Sequence, residues 1–96
     1  MDRGFLGVSI VEITPSLAES FGLPVDHGIG LNIVEAGGPA NDAGLRQGDI
    51  IVKLAGEEIK NSGDLFKALT ENRAGDRVEV EFFRGSSQKS AEITLG

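Results

Sequence analysis

The stretch Gly38-Pro39-Ala40-Asn41-Asp42-Ala43-Gly44-Leu45-Arg46-Gln47-Gly48-Asp49-Ile50-Ile51 punctuates the middle of this 96-residue chain. Gly37-Gly38-Pro39 breaks the apolar segment before it, and proline is pre-set for the first position of a helix. A brief helix is therefore expected over 40–43, closed by Gly44. Gly48-Asp49 reads as a turn. Ile50-Ile51-Val52-Lys53-Leu54 follows as a strand buried on both faces.

Upstream, Phe5-Leu6-Gly7-Val8-Ser9-Ile10-Val11 is apolar and alternates after Gly7, which predicts a strand with a glycine near its start. Thr14 is placed to cap a short helix with Pro15 in its first position and Gly22 at its end. Leu17, Ala18 and Phe21 give that helix an apolar stripe. Ile29, Leu31, Ile33 and Val34 mark a second strand within 28–36. Downstream, Gly56-Glu57 reads as a turn. Asn61 caps a third helix running to about 72, with Asp64 in a relation like a capping box. Val78, Val80 and Phe82 alternate with charges in a half-buried strand over 77–83. Gly85-Ser86-Ser87 is a hairpin turn, and 91–95 is the last strand. The chain therefore reads as one α+β domain of five or six strands and two or three short helices, with no repeat, linker or low-complexity tract.

The bulk properties narrow the function. The length suits one domain, and five Phe with no Trp or Tyr imply an aliphatic core. A net charge of -6 without a basic cluster excludes phosphate neutralisation, so neither nucleic acid nor an anionic membrane is an expected partner. With no cysteine there is no thiolate ligand, disulfide or Cys nucleophile. No apolar run approaches the roughly 18 residues of a spanning helix. The sole histidine, His27, stands between Asp26 and Gly28 in a loop, far short of a base with an orienting partner. One His with scattered carboxylates does not make a metal site. Gly28-Ile29-Gly30 opens a strand rather than a helix and is no dinucleotide fingerprint. No catalysis and no cofactor are expected of this chain.

Arg3-Gly4-Phe5-Leu6-Gly7-Val8 admits two readings. A chain entering a strand through glycines can point successive N–H groups into one concavity, a nest that binds carboxylates. The same residues fit an edge strand with a glycine bulge and no ligand.

Set beside the rest of the chain, Gly4-Phe5-Leu6-Gly7-Val8 resembles the carboxylate-binding loop of PDZ domains. Gly38-Pro39-Ala40, Ala43-Gly44-Leu45 and Gly48-Asp49-Ile50-Ile51 resemble that family's most characteristic run. Leu65, Ala68 and Leu69 match its groove helix. The likeness covers essentially the whole chain. Only three residues precede the loop and a further strand lies at the C-terminal end, an arrangement similar to the circularly permuted PDZ domains of bacterial and organellar proteases. With the helix from Thr14-Pro15 to Phe21-Gly22-Leu23, the chain looks most like the first PDZ domain of the HtrA (DegP/DegQ/DegS) serine proteases.

That resemblance implies a PDZ-like, partly open barrel or sandwich, and one domain over 1–96 excised from a longer envelope protease. It implies a groove between strand 8–11 and helix 62–72 that takes the free C-termini of protein substrates or regulators, beside an adjacent protease domain. The carboxylate would meet the N–H groups of Leu6, Gly7 and Val8. Arg3 would either add charge or stand solvated beside them. Phe5, Ser9 and Ile10 belong to the same loop and strand. Ser62, Phe66 and Leu69 run i, i+4, i+7 along the groove side of the helix. Phe66 is either a pocket wall or an accident of packing. Leu6, Val8, Ile10 and Leu69 would receive the last side chain, and Leu69→Ala is expected to weaken binding without unfolding. Ser62 replaces the histidine that selects Ser or Thr ligands in the family, which favours an apolar preference near Phe66. A rival role is an assembly surface in an oligomer. Burying one apolar end residue (roughly 1.5–3 kcal/mol) with a few charge-assisted bonds implies affinity on the order of micromolar.

Overall fold

The computed structural model describes residues 6–96. Its elements run β1 (Val8–Glu12), α1 (Pro15–Phe21), β2 (Ile29–Val34), α2 (Pro39–Asp42), β3 (Ile50–Leu54), β4 (Glu57–Glu58), α3 (Ser62–Thr70), β5 (Arg77–Arg84) and β6 (Ser87–Thr94). The strands form one six-stranded sheet in the order β1-β2-β3-β5-β6, with β4 folded back onto β3. Every pairing is antiparallel. β1 and β6 therefore form the two margins of the sheet.

The core gathers on one face. Ile29, Leu31, Ile51, Leu54, Val80, Phe82 and Ile93 meet Leu65, Ala68 and Leu69 of α3, with Leu6, Ala40, Leu45, Ile59 and Leu95 closing the periphery. Alternation in the strands dictates this, because paired residues share a face. The opposite face is thinner. There Gly30 pairs with both Val11 and Ile50, and a β-carbon on Gly30 would stand 3.2 Å from Ile13 Cδ1. The glycine lets buried Ile13 lie flat on the sheet.

Several local expectations hold in detail. The Thr14 hydroxyl accepts from Leu17 N–H at 3.2 Å, Pro15 opens α1, and Gly22 ends it in the left-handed conformation at φ 62°. Asn61 Oδ1 accepts from Asp64 N–H at 2.9 Å. The Asp64 carboxylate reaches back to the Lys60 N–H at 3.0 Å, one residue earlier than a standard capping box.

Other features differ from the sequence reading. The turn after β3 is Ala55-Gly56, with φ 54° and 82°, one residue earlier than expected. A two-residue hairpin matching the sheet's twist needs positive φ at both central positions, and alanine gives no hint of that. The last strand starts at Ser87 and pairs in unbroken register from Arg84↔Ser87 to Arg77↔Thr94. Its first four residues are exposed and polar, so hydrophobic pattern could not reveal them; the hairpin register with β5 carries them. The α1 stripe is not a buried face: no residue of α1 is buried, and Phe21 is 72% exposed.

The one buried charged residue among those described is Asp49, 1% exposed. Its carboxylate accepts from Arg46 N–H at 2.8 Å and from Arg84 Nε and a terminal guanidinium nitrogen at 3.0 and 2.8 Å. That second nitrogen also donates to the Gly44 carbonyl at 2.9 Å. The hydrogen bond to Asp49 holds the Arg84 guanidinium above its ordinary pKa. Loop 43–49 is thus clamped to β5, and its main chain meets β2 through Leu31 N–H to Asp49 O and Gly48 N–H to Leu31 O, both 2.8 Å. Breaking one side of a buried ion pair leaves the other uncompensated. Asp49→Asn is expected to lower the melting temperature by on the order of 10 °C, measured by circular dichroism, whereas exposed Asp42→Asn leaves it within about 2 °C.

Candidate functional site

Leu6 and Gly7 lead into β1 beneath α2. The Leu6 carbonyl accepts from Ala40 N–H at 3.0 Å, and the Gly7 carbonyl accepts from Glu35 N–H at 3.0 Å. In a trans peptide unit the C=O and the following N–H point in opposite directions. Tying both carbonyls to the protein's own side therefore turns the N–H groups of Gly7 and Val8 outward. Gly7 N–H donates to nothing among the described residues.

The far end of β1 obeys the same geometry. Ile13 N–H donates to Gly28 O at 2.9 Å on the β2 side, so the Glu12 carbonyl points away from β2. Between these ends, the backbone groups of Val8, Ile10 and Glu12 face the sheet margin, and those of Ser9 and Val11 face β2. β1 pairs only with β2 among the described strands. The irregularity in this pair lies between Ser9 and Ile10, where the partner jumps from Ile33 to Leu31. The extra residue, Asn32, belongs to β2, and the alternation of β1 is unbroken.

Helix α3 is held to the end of β1 by main-chain contacts. Gly28 N–H donates to Lys60 O at 3.2 Å, and Gly28 O receives Ile13 N–H. Gly28 thereby ties the start of α3 to the end of β1. The N-terminal turn of α3, with Ser62, therefore starts on the Glu12 side of β1, and Leu69 further along the helix is buried in the same core cluster as Leu6. Val8 and Ile10 are half-buried against that cluster.

Each expected site residue can now be placed. Arg3 and Phe5 lie outside the described residues. Leu6 and Leu69 are 3% and 8% exposed and belong to the core rather than to an open surface. Leu69→Ala would therefore excavate the core at a cost of about 2–5 kcal/mol, contrary to the expectation of an intact fold. Phe66 is 50% exposed, and Ser62 beside it is half-buried. Ser9 projects from the opposite face, paired with exposed Ile33.

Gly7 has φ 72°, the left-handed region. A β-carbon there would meet Pro39 Cδ and Glu35 Oε2 at 3.3 Å. These contacts lie within the domain itself, so the domain's own packing as well as the backbone conformation calls for glycine here. Glu35 is a residue that sequence reasoning missed, and a single acid at a strand end gave no signal. Its carboxylate lies against the position that a Gly7 side chain would occupy. His27 is a loop residue hydrogen-bonded to Asp26 at 3.0 Å, and this contact holds the Asp26 carboxyl below its usual pKa. Among the described residues no group of His, Cys, Asp and Glu is placed to hold a metal.

Similarity to known proteins shows the family. A family model for the PDZ domain matches residues 4–95, and the chain belongs to that family. Its relatives include the "Probable periplasmic serine endoprotease DegP-like" of Pseudomonas fluorescens (strain Pf-5), 38% identical over 96 residues, covering all of this chain and 20% of that protein. The protein of the same name in Ectopseudomonas mendocina is 39% identical over 94 residues, covering 98% of this chain and 20% of the relative. The chain spans about a fifth of the length of these curated relatives. Among solved structures, the HtrA-type protease AlgW with a decapeptide superposes with a TM-score of 0.87 at 30% identity, over 99% of this chain and 29% of that one. The HtrA3 PDZ domain bound to the phage-derived ligand FGRWV gives 0.83 at 29% identity, over 100% of this chain and 88% of that one.

One electrostatic feature lies at the end of α3. Glu71, the C-cap of α3, hydrogen-bonds and repels Glu57 of β4, and this raises the Glu57 pKa from its ordinary value. A raised folded-state pKa contributes stability below the unfolded value, and that contribution is lost as pH rises through the folded value. Glu57→Gln should therefore raise the melting temperature at pH 7, with the gain shrinking to nothing as pH falls below the ordinary glutamate range. Melting curves of both proteins from pH 3.5 to 7.5 check this.

Proposed function

We propose that this domain captures the free C-terminal ends of polypeptides by adding them as an antiparallel strand to the margin of β1, with α3 as the opposite wall. The observation that carries this reading is the pair of outward-turned amides at Gly7 and Val8, beside a strand edge with no partner among the described residues. A terminal carboxylate supplies the acceptor those amides need, and the ligand backbone pairs with Val8, Ile10 and Glu12. Leu6, Val8, Ile10, Phe66 and Leu69 provide apolar surface for the last side chain, with Ser62 at the far mouth. Arg3 and Phe5 complete the loop of the proposed site, while Ser9 only spaces Val8 from Ile10, its backbone spent on β2 and its side chain on the other face. Peptide-bound PDZ neighbours and DegP-like relatives support this assignment.

In the same reading the chain is one domain of a longer periplasmic serine endoprotease. The domain tethers exposed tails, including those of misfolded proteins, for the protease domain or conveys their presence to it. The catalytic groups belong to that other domain. A short ligand strand buries less than the ~1,200 Å² of a stable interface, so affinity is on the order of micromolar and release is fast enough for a sensor of tails.

The test is titration with a peptide ending in an apolar residue, its C-terminus either free or amidated. The free acid should bind at least about tenfold more tightly, the effect of roughly 1.4 kcal/mol of charge-assisted bonding. Phe66→Ala should weaken the free acid several-fold while leaving the melting temperature nearly unchanged, because the ring is half exposed. Equal affinity for both forms contradicts the carboxylate nest. Absence of binding to any free-ended peptide favours use of the sheet margin for assembly.

A further inference from the structure

The mouth of the groove opposite the carboxylate end carries an acid that this mode of capture leaves without a role. Glu12 is the last residue of β1, is exposed, and shares the groove-side parity of Val8 and Ile10. Its cross-strand partner Ile29 is wholly buried in the core, which fixes the face from which the Glu12 side chain leaves the sheet. Glu12 makes no ion pair among the described residues. The segment leading into α3, joined to the end of β1 through Gly28, carries a lysine, Lys60, that stands 3.8 Å from Glu58 and is directed to that partner. Beyond Glu12 the chain turns in: Ile13 is 8% exposed and its N–H is spent on Gly28. Glu12 is thus the final pairing position that β1 offers a ligand.

We infer that Glu12 selects a basic residue four positions before the C-terminus of the captured peptide, so that the ligand class is an apolar-ended tail with Lys or Arg at that place. The inference rests on the capture mode proposed above. With the terminal residue beside Val8, antiparallel pairing sets the residue two before the end beside Ile10 and the residue four before the end beside Glu12. Directly opposed residues share a face, and their side chains come within about 5 Å. An opposite charge there gains, and a like charge loses, the modest energy of a half-solvated pair. The domain's net charge of -6 acts in the same direction on every ligand residue, so position dependence is the signature of Glu12.

The experiment uses free-ended, apolar-terminated peptides with Lys, Ala or Glu four before the end. A second set places Lys three before the end, where strand alternation turns it to the other face. Both sets are titrated into wild-type and Glu12→Lys domains at low and physiological salt. Wild type should prefer Lys over Glu at the fourth position by about threefold to tenfold at low salt, with a smaller ratio at higher salt. Glu12→Lys should invert that order and leave the response at the third position unchanged. A Lys preference of the same size in Glu12→Lys, or one equal at both positions, overturns the inference by tracing it to net charge. If these peptides bind with carboxylate dependence but without regard to the fourth position, the inference fails and the capture mode stands. If no free-ended peptide binds, both fall. Glu12→Lys is an exposed strand-end change, and an unchanged melting curve confirms that folding is not the cause.

Discussion

Two hydrogen bonds carry the arrangement on which the rest depends: Ala40 N–H to the Leu6 carbonyl and Glu35 N–H to the Gly7 carbonyl, each 3.0 Å. They cost the loop its freedom and fix the orientation of two peptide planes. Because those planes are trans, the opposite edges, the N–H groups of Gly7 and Val8, are presented outward. No side chain performs this step. It follows from which carbonyls are engaged, and it requires a residue at position 7 that accepts φ 72°.

The remainder of the fold supports that loop from behind. Asp49 and Arg84 clamp segment 43–49 to β5. Leu45 N–H donates to Ala40 O at 3.0 Å, and Ala40 N–H holds Leu6. A continuous series of hydrogen bonds thus joins a buried ion pair in the sheet to the entry of β1. The start of α3 is tied to the other end of β1 through Gly28, Lys60 and Ile13. A side chain at Gly28 would stand 2.8 Å from the Ile51 carbonyl, so this crossing admits only glycine. Main-chain contacts thus position both ends of the proposed groove, and the buried side chains beneath it belong to the core.

Much of this was legible in the residues. The run from Gly38 to Ile51 marks its helix, turn and strand with proline and glycines, whose backbone preferences are strong and local. Leu65, Ala68 and Leu69 declare the buried stripe of α3 by spacing alone. Three features were hidden for physical reasons. The polar start of β6 is held by register. Ala55 adopts φ 54° because the hairpin demands it, against the preference of an alanine. The nearness of Glu35 to Gly7 arises between residues far apart in sequence, which no local pattern encodes. Leu69 shows the limit of stripe reasoning: its spacing puts it on the core stripe and on the adjoining Ser62–Phe66 stripe at once, and the packing shows that the core holds it.

The most direct test of the account is amide NMR of the labelled domain during titration with an apolar-ended peptide. A free C-terminal carboxylate should shift the Gly7 and Val8 amide protons strongly downfield as they become charge-assisted donors, and the amidated peptide should not. If those two amides stay unmoved while a free-ended peptide binds elsewhere, the outward-facing N–H groups are not the anion site and the central claim is wrong.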